Sequence, residues 1–346
     1  MQEEPIRLIG GTASPYTQKM LALLRYRRIP YAITWGQPKE LCEAQGIAPP
    51  KPALMPTFLL EEGGSIKARC DSTPIIRQLD AAFTERAVIP YDPALAFIDY
   101  LLEDFADEWC TKYMFHYRWH GETDASNAAT LLPLGFDVSM ESDSLQTLQK
   151  LIGERQRGRL PVVGSNDKTA PIIEASFDRF IGALDAQLAV QPFMLGYRPS
   201  ACDFALYGQL SQLVGFDPTP RALIHGRSPR TVAWVDHLAD QSGREPQAHH
   251  WLSLAALPEA LRGLLCEIGR VYTPTQLANA RAVVAGEPSW KTVVDGREWE
   301  QPTFAYQAKC LSWTRERYHA LDADSRAAVD ALLVDTGISA MLSEPV

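Results

Sequence analysis

Thr12, Ser14 and Tyr16 gather three hydroxyl groups around Pro15, at the point where a short apolar run gives way to a helical pattern. A hydroxyl in the first turn of a helix can accept from backbone amides as an N-cap. It can also donate to an anion drawn by the partial positive charge of the helix end. A second site of this kind is Asp71-Ser72-Thr73-Pro74, where Ser72 can offer its amide and hydroxyl to a carboxylate at a helix start. Ser200 and Asp203 have the spacing of a capping box. Trp109, Tyr113, His116, Tyr117 and His120 fall on one stripe of a helix, which lines either a pocket or the core. The acidic residues Glu103, Asp104, Asp107 and Glu108 on the same stretch read as a solvated face.

The elements that must position these groups follow from periodicity and turn chemistry. Pro5 to Gly11 reads as a strand, Gln18 to Arg28 as a helix and Tyr31 to Trp35 as a second strand. Pro38 to Gln45 is a short helix before Pro49-Pro50-Lys51-Pro52. Thr57 to Leu60 and Ser65 to Ala68 flank Gly63-Gly64 as a hairpin, and a helix starts at Asp71-Ser72. The order is β-α-β-α-β-β-α. From about Pro93 the alternation stops and helices follow: Leu95 to Trp119, Leu145 to Gln156, Thr169 to Ala189, Ala201 to Val214 and Thr231 to Gln241. Gly121 to Glu141 and Gly158 to Lys168 read as loops. Further helices are expected at Pro258 to Ile268, Gln276 to Ala285, Tyr306 to Leu321 and Asp324 to Thr336, with Glu287 to Phe304 irregular.

With 346 residues, 46% hydrophobic and 22% charged, the chain has the composition of a globular protein of more than one domain. A net charge of −9 and the lack of a basic run argue against nucleic acid as a partner. The start Met1-Gln2-Glu3-Glu4-Pro5 lacks the pattern of a signal peptide, and no apolar run has the length of a membrane span. A soluble, cytoplasmic protein is expected. Cys42, Cys70, Cys110, Cys202, Cys266 and Cys310 are dispersed, which points to free thiols and to neither disulfides nor a metal.

Four segments resemble the glutathione transferase superfamily. Ala13-Ser14-Pro15-Tyr16 is similar to the Ala-Ser-Pro-Phe of tau-class and the Cys-Pro-Phe of omega-class members. Leu54-Met55-Pro56-Thr57 resembles the segment with a cis-proline, and Asp71-Ser72 the family's Glu-Ser pair. Phe193 to Leu206, with Leu195-Gly196 before Ser200-Ala201-Cys202-Asp203, resembles the stretch that caps a core helix. The resemblance implies an α/β thioredoxin-like N-terminal domain over residues 1–85 and an all-α C-terminal domain over 93–245. Residues 246–346 would then form an extra helical C-terminal extension packed on the second domain.

It further implies glutathione as co-substrate, bound by the backbone of Met55 before Pro56 and by Asp71 and Ser72 at its γ-glutamyl end. Lys39 or Lys51 would hold its glycine carboxylate. A free thiol ionises near ~8.5, so a catalyst at neutral pH must favour the thiolate. Ser14 is the first choice of hydrogen-bond donor to the sulfur, with Tyr16 and Thr12 as alternatives. The expected reaction is thiolate attack on an electrophilic, apolar small molecule beside the Trp109 to His120 stripe, in a cytoplasmic homodimer serving detoxification, with neither metal, nucleic acid nor membrane involved. Ser14 and Thr17 stand where redox relatives carry cysteines, which disfavours disulfide exchange by the protein itself. Glutathione-dependent ether cleavage or dehalogenation, and a noncatalytic ligand-binding role supported by the extension, are the other readings.

Overall fold

The computed structural model describes residues 4–346; Met1 to Glu3, on which part of the reading of the N-terminus rests, lie outside the described residues. Strand β1 (Ile6–Gly10) leads through helix α1 (Pro15–Arg27) to β2 (Tyr31–Trp35), which pairs parallel to it. After α2 (Pro38–Ala44), β3 (Thr57–Glu62) runs antiparallel to β1 with Ile9 opposite Thr57, and β4 (Ser65–Arg69) returns along β3. The sheet order is β2-β1-β3-β4, and α3 (Ser72–Ala82) closes the unit. Gly63 and Gly64 both have positive φ, as the tight hairpin turn between β3 and β4 requires.

The helices that follow are α4 (Pro93–Glu108), α5 (Cys110–Trp119), α6 (Glu122–Leu134), α7 (Ser142–Arg157), α8 (Ala170–Leu188), α9 (Ala201–Gly215), α10 (Pro218–Arg227) and α11 (Pro229–Leu238). The single helix expected from Leu95 to Trp119 is two, divided at Trp109, and the expected loop from Gly121 contains α6. Helix α9 is apolar and buried almost all round, so it forms the centre on which α1, α4 and α5 pack. Its Gly208 permits the contact with α1, because a Cβ there would stand 2.5 Å from the carbonyl oxygen of Pro15. The capping box at Ser200 and Asp203 forms, the Ser200 amide donating to Asp203 Oδ2 at 2.9 Å.

The last hundred residues comprise α12 (Leu261–Glu267), α13 (Thr273–Ala285), β5 (Ser289–Val294), β6 (Arg297–Pro302), α14 (Ala305–His319), α15 (Ala323–Leu333) and α16 (Ser339–Ser343). The extension is therefore helical with one hairpin, and the segment expected to be irregular is that hairpin. Its two strands turn at Asp295 and Gly296, both at positive φ, and bury Trp290, Val294 and Trp299. Helices α14 and α15 lie along α4.

That placement overturns the solvated-face reading of the acidic residues. Glu103, Asp104, Asp107 and Glu108 are 0%, 8%, 6% and 9% exposed. Cations from the first domain, Lys19 and Arg77, reach α4 from one side, and the extension covers it from the other. Among the described residues no helix is long and apolar enough to cross a membrane.

Candidate functional site

The first candidate group is the turn between β1 and α1. Ser14 is the N-cap of α1, its Oγ accepting from the Thr17 amide at 3.2 Å, and Pro15 occupies the first helical position, where no amide is needed. The cap uses a lone pair, so the hydroxyl hydrogen stays available; among the described residues no acceptor takes it. Tyr16 is committed differently. Its hydroxyl donates to the backbone carbonyl of Asp107 at 2.7 Å, and burial, with Glu108 and Asp107 adding to it, holds the phenol in its protonated form. Thr12 is exposed on the outer side of the turn, against Gly135.

The turn is gripped by the helical domain. Buried Arg118 donates from Nη1 to the Ala13 carbonyl at 2.9 Å, while its Nε and Nη2 hold the Asp217 carboxylate at 2.9–3.1 Å and Nη2 also reaches Gln212. Bidentate pairing of this kind fixes direction as well as distance.

Met55 and Pro56 are joined by a cis peptide bond just before β3. Among the described residues, neither the amide nor the carbonyl of Met55 has a partner, so its backbone is free to pair with a peptide-like ligand. A Cβ on Gly11 would stand 3.0 Å from Met55 Sδ and 3.3 Å from the ring of Phe136, which places the end of α6 over the turn.

At the start of α3, Asp71 has φ 84°, a conformation few non-glycine residues take, and its Oδ2 accepts from the Tyr306 hydroxyl of α14 at 2.9 Å. Ser72 is buried, and its Oγ accepts from Lys19 Nζ at 3.0 Å. Lys19 also donates to Glu103 Oε1 at 2.9 Å and Asp107 Oδ2 at 2.6 Å, and Thr73 Oγ1 donates to the same two carboxylates at 3.0 and 3.3 Å. Burial opposes the charge on Lys19, but Asp107 and Glu103 outweigh it and raise its pKa. Burial likewise opposes ionisation of Glu103, yet Arg77 and Lys19 bring its carboxyl down to about 2. Elsewhere burial prevails: Asp107, despite Lys19, is pushed up to about 6, Glu108, with Asp104 and Asp107 near it, to about 8, and Asp104 to about 7.

The structure brings Met55 beside Gly11 in the turn that carries Ser14, and joins Ser72 to the same helix α1 through Lys19. Lys39 and Lys51 are both exposed and form no ion pair among the described residues. The aromatic stripe turns into the core. Trp109 Nε1 donates to the Tyr113 hydroxyl at 2.8 Å, Tyr113 meets Ser176 at 2.7 Å, and Trp109 packs on Trp299 of the extension. His116 Nδ1 pairs with Ser165 at 2.8 Å; Tyr117 is half-buried against Phe177, and of the stripe only His120 is exposed. Sequence reasoning missed Lys19, Arg118, Phe136 and Tyr306. Only Lys19 carried a signal, as a cation among the mostly apolar residues that α1 buries.

Residues 8–87 match the family model described as the glutathione S-transferase N-terminal domain. Among solved structures the chain is similar to a tau-class glutathione S-transferase from mango, Mangifera indica, at 13% identity and TM-score 0.41, over 71% of this chain and 94% of that one. It is also similar to a glutathione S-transferase of Methylobacterium radiotolerans in complex with glutathione sulfonate, at 17% identity and TM-score 0.40, over 70% and 96%. A third is that of Ceriporiopsis subvermispora in complex with glutathione, at 17% identity and TM-score 0.41, over 68% and 98%. A search of curated proteins returns no match. Residues 8–87 therefore form a glutathione S-transferase N-terminal domain.

Proposed function

We propose that the protein is a glutathione transferase in activity as well as in ancestry. The observation that carries this reading is the Ser14 hydroxyl, whose lone pair caps α1 and whose hydrogen is free at the helix N-terminus. A glutathione sulfur placed there receives that hydrogen bond together with the partial positive charge of the helix end, and both favour the thiolate. Met55 pairs with the cysteinyl backbone of glutathione, and Asp71 and Ser72 take the ammonium and carboxylate of its γ-glutamyl end. Lys39 is the proposed partner of the glycine carboxylate, an exposed cation free of ion pairs among the described residues. The thiolate attacks an electrophilic carbon of an apolar small molecule: the carbon–sulfur bond forms, and the leaving group or the electron pair of the attacked bond takes up the charge. Holding both partners in one cleft supplies the proximity. The cytoplasmic location, the homodimer, the detoxifying role and the absence of metal, nucleic-acid and membrane partners belong to the same proposal.

Calorimetric titration of the full chain with glutathione, and turnover against a panel of electrophiles, test it. Replacing Ser14→Ala is expected to lower kcat about 10²-fold, as loss of one donor to a developing anion does. Glutathione affinity should hardly change, and the lost cap should reduce stability by about 1 kcal/mol. No binding of glutathione at any concentration sinks the proposal; an unchanged rate in Ser14→Ala transfers the donor role to Thr12, because the Tyr16 hydroxyl is spent on Asp107. A second reading, noncatalytic ligand binding, is favoured by Phe136 and Tyr306, which cover the two ends of the site. Binding without turnover of any electrophile would select it.

A further inference from the structure

The C-terminal extension touches the candidate site at one defined atom. Tyr306, in the first turn of α14, donates its hydroxyl to Asp71 Oδ2 at 2.9 Å across 235 residues of chain. Its ring is held edge-on by Trp313 and tilted against Phe304, with centroids 6.4 and 6.2 Å away. The next residue, Gln307, donates to the Glu108 carbonyl at 3.3 Å, so this turn of α14 is fixed to the end of α4 as well as to Asp71.

Asp71 makes no capping bond to α3, which leaves Tyr306 as the group that sets the direction of its carboxylate. Carboxylates are in surplus around it. Asp107 spends Oδ2 on Lys19 and Thr73, and its buried Oδ1 has no partner among the described residues. A buried carboxylate oxygen left unanswered beside an oriented one is a place where a cation is missing, since such oxygens are costly without a donor. The Tyr306 hydroxyl keeps its proton, because burial and the neighbouring Cys310 and Asp71 raise its pKa far beyond the ordinary phenol value, so it stays a donor at every working pH.

We propose that the extension completes the ligand site in cis: Tyr306 is a positioning residue that orients Asp71 to accept the ammonium of the γ-glutamyl group. This rests on the glutathione reading above. It gives the extension a role in recognition, and it makes a free α-amino group the chemical feature the protein selects.

The test compares glutathione with an analogue lacking the α-amino group of the γ-glutamyl residue, titrated into the full-length protein and Tyr306→Phe, a variant that keeps the ring and its packing. In the parent, glutathione is expected to bind at least about tenfold more tightly than the deaminated analogue, the worth of one hydrogen-bonded charge. In Tyr306→Phe, glutathione binding weakens about tenfold and the preference over the analogue shrinks to about threefold or less, with the loss seen in KM and not in kcat. Asp71→Asn produces a similar loss, and combining both substitutions adds less than about twofold, because they remove one shared interaction. Unchanged preference in Tyr306→Phe overturns the inference, and tighter glutathione binding there overturns it by making Tyr306 a plug. Failure of the parent to bind glutathione at all is a different result: it removes the glutathione reading and this inference with it.

Discussion

Around Ser72 the polar side chains answer one another: Lys19 holds three oxygens, Thr73 holds two, Arg77 closes on Glu103, and the extension seals the outside through Tyr306 and Tyr272. Around Ser14 the contacts run through the backbone: a cap, a carbonyl taken by Arg118, and the unpaired amide of Met55, beside Gly135 and Phe136 at the end of α6. One end of the candidate site is thus rigid and dense in charge, and the other is bordered by Phe136 at the end of α6, whose outer partner α7 buries no residue. The contrast fits the two-substrate reaction proposed above. A charged ligand needs directed groups fixed in advance, whereas an apolar partner of varied shape needs a wall that gives way.

The sharpest way to break this contrast is Lys19→Met. It leaves Glu103 and Asp107 buried without the ammonium that answers both, and removing one partner of a buried network costs about 3–5 kcal/mol. Urea unfolding at neutral pH measures it. A loss below about 1 kcal/mol would mean that the γ-glutamyl end is no more rigid than the thiol end.

The next effect depends on pH and sharpens the comparison at the same end. Glu108 stands just beyond the Lys19 network, with its pKa raised to about 8 from an ordinary 4.5. Between those values the folded chain holds a proton that the unfolded chain has released, so stability falls as pH rises through the window and the whole loss is present above about pH 8. Asp104, raised to about 7, acts in the same sense. Glu108→Gln removes the larger part. The variant should match the parent near pH 4 and exceed it by roughly 2 kcal/mol at about pH 9. Thermal unfolding over that range checks it; parallel curves for parent and variant would place Glu108 in solvent.

Legibility in the sequence divides along the same line. The first domain and its turn could be read because their signals are local: Pro15 after Ser14, Gly63-Gly64 between two apolar runs, and Thr73-Pro74 after Asp71-Ser72. Ser200 and Asp203 lie three apart and could be read for the same reason. The acidic face of α4 could not, because whether a run of carboxylates is solvated depends on Lys19 and Tyr272, which stand 88 residues before Asp107 and 168 after Asp104. Tyr306 has no local signal at all. The β5–β6 hairpin was within reach: Asp295-Gly296 is a strong turn dipeptide, and the Trp290 and Val294 positions keep a two-residue period around it.

Phe136→Ala carries the smallest expected effect on stability and bears on the other half of the contrast. Phe136 is half-buried, beyond the end of α6, with its ring over Gly11 and beside Met55. It lies past the end of α6 and before α7, which buries no residue, so truncating this one half-buried ring should cost less than about 1 kcal/mol. On the proposed glutathione reading, the same truncation widens the wall beside the bound sulfur. KM for a bulky apolar electrophile should shift by about three- to tenfold, the worth of one aromatic contact, while the affinity for glutathione stays put. Hydrogen exchange gives an independent reading, since amides of α7 should exchange well before those of α4 if the hairpin opens by itself. A stability loss of more than about 2 kcal/mol, or α7 amides protected as strongly as those of α4, would make the hairpin part of the core and remove the flexible wall from the mechanism.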